Sequence, residues 1–156
     1  MIIFIELEKG RENSTTLAPT TIPSTTPGSE PYYNIRLPRH IQPIEYNVLL
    51  IVDMEEEDVE GFSTIKTTIT KASRYIMIHS VGFRTVDAFV KVWGTEEQIK
   101  INTFFYTPNQ YFVIEAKEGE FQPQTYSLRF EFSYNLRKDL AGLYLSKYKT
   151  KAGEER

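Results

Sequence analysis

From Tyr126 to Tyr134 the chain alternates without a break. Tyr126, Leu128, Phe130, Phe132 and Tyr134 fall on one side, and Ser127, Arg129, Glu131 and Ser133 on the other. A strand turns its side chains over at every residue, so this pattern gives one apolar face and one wet face. A helix would bring Tyr126, Phe130 and Tyr134 together and strand Leu128 and Phe132 on its far side. The stretch therefore predicts a half-buried antiparallel strand, and the rest of the chain has to cover its aromatic face. Ten tyrosines and ten phenylalanines among 156 residues make sheet the expected way of doing so.

The remaining segments read the same way. Ile44 to Val52 is expected as a strand with Tyr46, Val48, Leu50 and Val52 on one face and Leu49 and Ile51 on the other, covered on both sides for part of its length. Val59 to Thr70, Tyr75 to His79, Arg84 to Trp93 and Tyr111 to Ala116 are further strands. Glu97 to Ile101 and Thr103 to Tyr106 are two short strands or one bent one. Gly61, within Val59 to Thr70, suits a bulge or a close approach. Asn135 to Leu140 is expected to make one helical turn, and Leu143 to Tyr148 a last strand. Short strands with turn signals between them and no long amphipathic helix predict an all-β antiparallel β-sandwich. It is expected to run from residue 31 to residue 156.

Residues 1–30 are expected to be a disordered tail. Twelve of the sixteen residues from Ser14 to Ser29 are Ser, Thr or Pro, too few apolar groups to offset the entropy of ordering. Such a stretch is either a generic spacer or an O-glycosylated stalk. Asn13-Ser14-Thr15 fits the acceptor pattern for N-glycosylation. Together these favour an extracellular or cell-surface setting. Met1 to Leu7 lacks the basic start and cleavage site of a secretory leader, so it reads either as a loose terminus or as the inside of a longer apolar anchor. No run approaches the about 20 apolar residues of a membrane span.

Little in the residues asks for chemistry. The net charge of −3 argues against a nucleic-acid binder, which needs a basic surface. Without cysteine there are no disulfides, thiolate metal sites or thiol nucleophiles. A zinc site needs about three His or carboxylate ligands, and the two histidines, His40 and His79, open no H-E-x-x-H motif. His79, at the end of an apolar strand, is expected in the core or at its rim, and His40 on the surface. Asp53 to Glu60 holds six acids in eight residues without the order of a calcium loop, so a solvated turn is expected rather than a cation site. Trp93 is expected in the core, with a stacking platform for sugar or peptide as the rival reading. No catalytic or metal residue is assigned.

One resemblance remains. Asp139-Leu140-Ala141-Gly142-Leu143-Tyr144-Leu145-Ser146-Lys147-Tyr148, after the aromatic-alternating strand, resembles a segment of the form Asp-Leu-x-Gly-Phe-Tyr-Arg-Ser-x-Tyr. That segment closes the same strand in the amino-terminal domain of the aminopeptidase N family of zinc aminopeptidases. Leu143 and Leu145 depart from it. Arg36-Leu37-Pro38-Arg39 with Pro43 and Tyr46 is similar to the opening of that domain, Ile78-His79-Ser80 to its Leu-His-Ser strand end, and Gly61 to its second-strand glycine. The resemblance covers roughly residues 34–156. It implies a saddle-shaped β-sandwich packed against a thermolysin-like catalytic domain, and a Ser/Thr-rich stalk leading to a membrane anchor. It also implies that the zinc site, with its H-E-x-x-H motif, and the segment gripping the substrate's amino group lie beyond Arg156. The chain is then expected to hold no cofactor and to have no activity alone. The strand Leu143 to Tyr148 is expected to offer an open edge for self-association.

Overall fold

Tyr126 to Tyr134 lies within the strand Thr125–Asn135, which sits between two neighbours at the middle of a six-stranded antiparallel sheet. The computed structural model describes residues 2–7, 30–136, 143, 144 and 146. In chain order the strands are β1 (Ile2–Leu7), β2 (Ile41–Asp53), β3 (Asp58–Ile69), β4 (Tyr75–His79), β5 (Thr85–Val92), β6 (Gln98–Ile99), β7 (Ile101–Tyr106), β8 (Tyr111–Ala116) and β9 (Thr125–Asn135). The large sheet runs β1-β2-β3-β9-β5-β6 and a smaller one runs β4-β8-β7, all pairs antiparallel.

The alternation of β9 does what its pattern predicts. Tyr126, Leu128 and Phe130 are buried while Arg129 is exposed. Register carries the same face across the sheet. Leu128 lies opposite Ile65 on β3 and Val90 on β5, and all three are buried in one cluster. The small sheet closes that cluster with Ile76, Phe112, Ile114 and Ala116. Phe112 meets Phe130 edge-on across the two layers, ring centres 6.3 Å apart. The fold is thus an all-β antiparallel sandwich.

Strand β8 is buried on both faces, which its unbroken apolar run Tyr111-Phe112-Val113-Ile114 allows. On the side away from the large sheet, Tyr111 and Val113 join Tyr75 and Met77 in a second cluster. This one is capped by the 3-10 turn Pro31–Tyr33, whose Tyr32 ring packs against Tyr75, Phe104 and Tyr106 at 5.2 to 5.4 Å. A third cluster, of Val52, Val59 and Leu136, takes Leu143 against it.

Several segments differ from the expectation. Ile2–Leu7, expected within the tail, pairs with β2 as the edge strand β1. An apolar run of strand formers beside an open row of backbone groups has a ready partner there. Residues 8–29, including Asn13 and the Ser/Thr/Pro stretch, lie outside the described residues. The segment 97–106 is not one bent strand. Lys100 separates β6 from β7, which belong to different sheets. The strand β9 stays extended to Asn135, where a helical turn was expected to begin, and residues 137–142 are outside the described set. Half of the expected strand Leu143 to Tyr148 is outside it as well, and with it the open edge.

Candidate functional site

The acidic stretch is a hairpin turn. The Asp53 carboxylate accepts hydrogen bonds from the amides of Glu55 and Glu56 at 2.9 and 3.0 Å, and those bonds lower its pKa. Glu57 adopts the left-handed region at φ 53° and its carbonyl accepts from the Leu136 amide. Asp58 takes both its oxygens to the Arg84 guanidinium, at 2.6 and 2.7 Å, tying the start of β3 to the entry of β5. Asp53 thus serves the turn and Asp58 its fastening. Among the described residues no three His, Asp or Glu side chains converge as metal ligands.

The histidines stand in separate environments. His79 is exposed at the rim, its ring against Tyr111 at 4.7 Å. His40 is half-buried, against the expectation that it lies on the surface. Its backbone carbonyl accepts from the Thr70 amide at 2.9 Å, which draws the residue under the end of β3. Its Nε2 is buried without a partner. Burial, then the nearby Lys71 charge, lower its pKa. The two described histidines therefore do not form a zinc site.

Trp93 is also placed otherwise than expected. Val90 and Val92 turn inward, so the next odd position faces out, and Trp93 is 46% exposed. The Lys66 ammonium lies over its ring at 4.2 Å.

Two structural features gather residues that the sequence reading treated apart. The first is the strap over the small sheet. The Tyr111 hydroxyl lies 2.6 Å from the Ile35 carbonyl and 3.1 Å from that of Asn34, and donates to the nearer. Asn109 donates to the Tyr32 carbonyl at 2.9 Å. Burial, then the neighbouring Tyr33, push the Tyr32 phenol up to about 12. The second is the open end of the sandwich, where Ser80 to Phe83 lead from β4 to β5. Cavities of about 280 and 100 Å³ adjoin there and share Ser80 and Phe83. Sequence reasoning missed this end. The available signal was an apolar loop, Val81 and Phe83 around Gly82, where a connection between strands is normally polar.

Fold and surface define a β-sandwich module. Its residues 42–156 match the model of the Peptidase M1 N-terminal domain, and the chain belongs to that family. It is 30% identical to aminopeptidase A of Gloydius brevicauda over 117 residues, which are 74% of this chain and 12% of that protein. With glutamyl aminopeptidase of Rattus norvegicus it shares 30% over 142 residues, 86% of this chain and 15% of that protein. With endoplasmic reticulum aminopeptidase 1 of the same species it shares 24% over 148 residues, 93% of this chain and 16% of that protein. The chain thus spans about an eighth to a sixth of the length of these relatives.

Proposed function

We propose that this chain serves as a non-catalytic N-terminal domain, residues 31–156, that supports the catalytic domain of a zinc aminopeptidase. The observation that carries this reading is the family match over 42–156 in relatives named as aminopeptidases, of which the chain covers so small a share. The separation of His40 from His79 supports it too, since no three possible ligands converge among the described residues and zinc in such an enzyme needs ligands from elsewhere. In this reading residues 1–30 are a tail or stalk, of which Ile2–Leu7 returns to the sheet as β1. The Ser/Thr/Pro stretch and the Asn13 acceptor support a cell-surface setting next to a membrane anchor, and loss of mass on enzymatic deglycosylation, abolished by Asn13→Gln, is the expected sign.

The test is a transplant. The aligned 148 residues of rat endoplasmic reticulum aminopeptidase 1 are replaced by this chain. The expected result is a folded chimera that hydrolyses an amino-acid arylamide, where the relative lacking the segment is inactive. The chain alone is expected to turn over no arylamide and to hold no stoichiometric zinc. A chimera no better than the deletion, or turnover by the pure chain, overturns the reading.

The exposure of Trp93 favours a second reading, a stand-alone extracellular module that binds protein or glycan. The Lys66 ammonium already occupies a face of that ring. Saturable binding on a glycan array, lost in Trp93→Ala, would decide for this reading.

A further inference from the structure

The two sheets do not close over each other where β4 gives way to β5. A cleft of about 100 Å³ runs inward there, past Ile78 and Ser80 to Ile65, Phe130 and Phe132 of the main core. Outside it lies a groove of about 280 Å³, bordered by Val81, Phe105, Gln110 and Tyr111. Phe83 lines both and forms the wall between them. Its ring packs edge-on against Phe132 at 4.9 Å and Tyr134 at 5.6 Å.

This mouth is unlike the ordinary surface. Val81 and Phe105 at its rim are each 49% exposed, an apolar border that water covers poorly. The Ser80 Oγ is buried where groove and cleft meet and has no hydrogen-bond partner, although the Ser80 amide donates to Gln110. A buried hydroxyl left unpaired is a standing cost that an acceptor would remove. No Lys, Arg, Asp or Glu lines either cavity.

We infer that this mouth docks a leucine-like side chain carried on an extended, uncharged segment of the M1 aminopeptidase polypeptide outside this domain. Size selects the side chain. A dry apolar cavity of about 150 Å³ holds a benzene ring, so a cleft of about 100 Å³ is better matched by a branched aliphatic group than by an aromatic one. Chemistry selects the backbone, because a peptide carbonyl seated at the mouth accepts from the Ser80 hydroxyl once rotation about χ1 turns that buried oxygen outward. Charge disfavours an acidic or basic segment, since apart from His79 in the cleft the lining carries no Lys, Arg, Asp or Glu to pair with it. The partner follows from proportion. The chain covers 12 to 16% of its relatives, so in such an enzyme this domain meets a polypeptide several times its own length. This last step rests on the proposed supporting role.

The test has two arms. In the first, the isotope-labelled full chain is titrated with N-acetyl-leucinamide, N-acetyl-alaninamide and N-acetyl-phenylalaninamide, followed by amide NMR. The leucine compound is expected to give saturable shifts at Ser80 and Phe83. The alanine compound should bind about tenfold or more weakly, having lost three carbons of apolar contact. Ser80→Ala should keep the native spectrum and weaken leucine binding about fivefold. Shifts that do not saturate, that are equal for the three compounds, or that centre on Trp93 overturn the site. In the second arm the chimera carries Val81→Asp with Phe105→Asp, and separately Met54→Asp, at an exposed apolar residue in the acidic turn. The double change is expected to lower recovered activity more than about tenfold and the single one to leave it unchanged. Equal activities overturn the partner even if the titration succeeds. A dead parent chimera overturns the supporting role and the partner with it, while the titration still decides the site.

Discussion

Gly61 shows how tightly one residue can bind sequence to packing. It lies opposite Phe132 in the register of β3 and β9, and the phenylalanine ring lies over it. A methyl group at position 61 would fall inside the contact distance of that ring. The glycine is there for space, since its backbone lies outside the left-handed region. Gly61→Ala is expected to destabilise the domain by about 1 to 3 kcal/mol, the range for overpacking a filled core. It should lower the urea midpoint without changing the slope. In a Phe132→Leu background most of that loss should vanish, because the obstructing ring is gone. His40 makes a second prediction, in pH. Burial first and Lys71 second disfavour its charged form, so its folded pKa lies below its unfolded one. Its contribution is therefore complete above about pH 6.5 and is lost as pH falls below that value toward the folded pKa. A denaturation series from pH 7.5 to 5 should show stability falling, and His40→Gln should flatten the fall.

Among the elements, those legible in the sequence were the ones whose side chains alternate. β9, β3 and β5 each present an apolar face at period two, and Gly61 marked the close approach that the structure contains. Elements defined by what lies far off in sequence were not legible. Nothing local in Gln98 to Tyr106 says that the chain leaves one sheet for the other at Lys100. Nor does Ile2–Leu7 announce its pairing with β2 across more than thirty intervening residues. The inward cycle of β5 ends at Val92, so Trp93 falls outward, and only the strand's register fixes that parity. The mouth of the sandwich was hidden for the same reason, since Ser80 and Phe105 meet only once β4 and β7 share a sheet. The strap over the small sheet is the element most open to test. It is fastened by side-chain bonds from Tyr111 and Asn109 and by the Tyr32 ring. Tyr111→Phe keeps the packing and removes the donor. The expected cost is about 1 kcal/mol overall. The local effect should be larger, because a short turn held at few points opens on its own. Protease cleavage near Ile35 should therefore rise by more than the about fivefold increase in hydrogen exchange that the overall loss gives β9.

At the scale of the whole molecule, the question is whether the two sheets stand or fall together. The small sheet has three strands, and a sheet of that size needs an apolar face covered to persist. One face of β8 is covered by the strap and the other by the large sheet. Phe112 is the joint, 2% exposed, packed on Phe130 across the layers and on Phe105 within its own. If the layers were independent, losing that ring would loosen β4, β7 and β8 and leave β3, β5 and β9 protected. The shared cluster argues otherwise, since Ile65, Val90 and Leu128 of the large sheet would be uncovered by the same loss. Phe112→Ala is therefore expected to cost about 3 to 5 kcal/mol and to keep a single unfolding transition. Native-state hydrogen exchange should show the amides of β8 and β9 losing protection by the same free energy. Selective loss in β8 would mean that the small sheet is a separate unit carried by the large one. The docking mouth would then lie between two bodies free to move, because Phe83 and Phe105 belong to opposite sides of it.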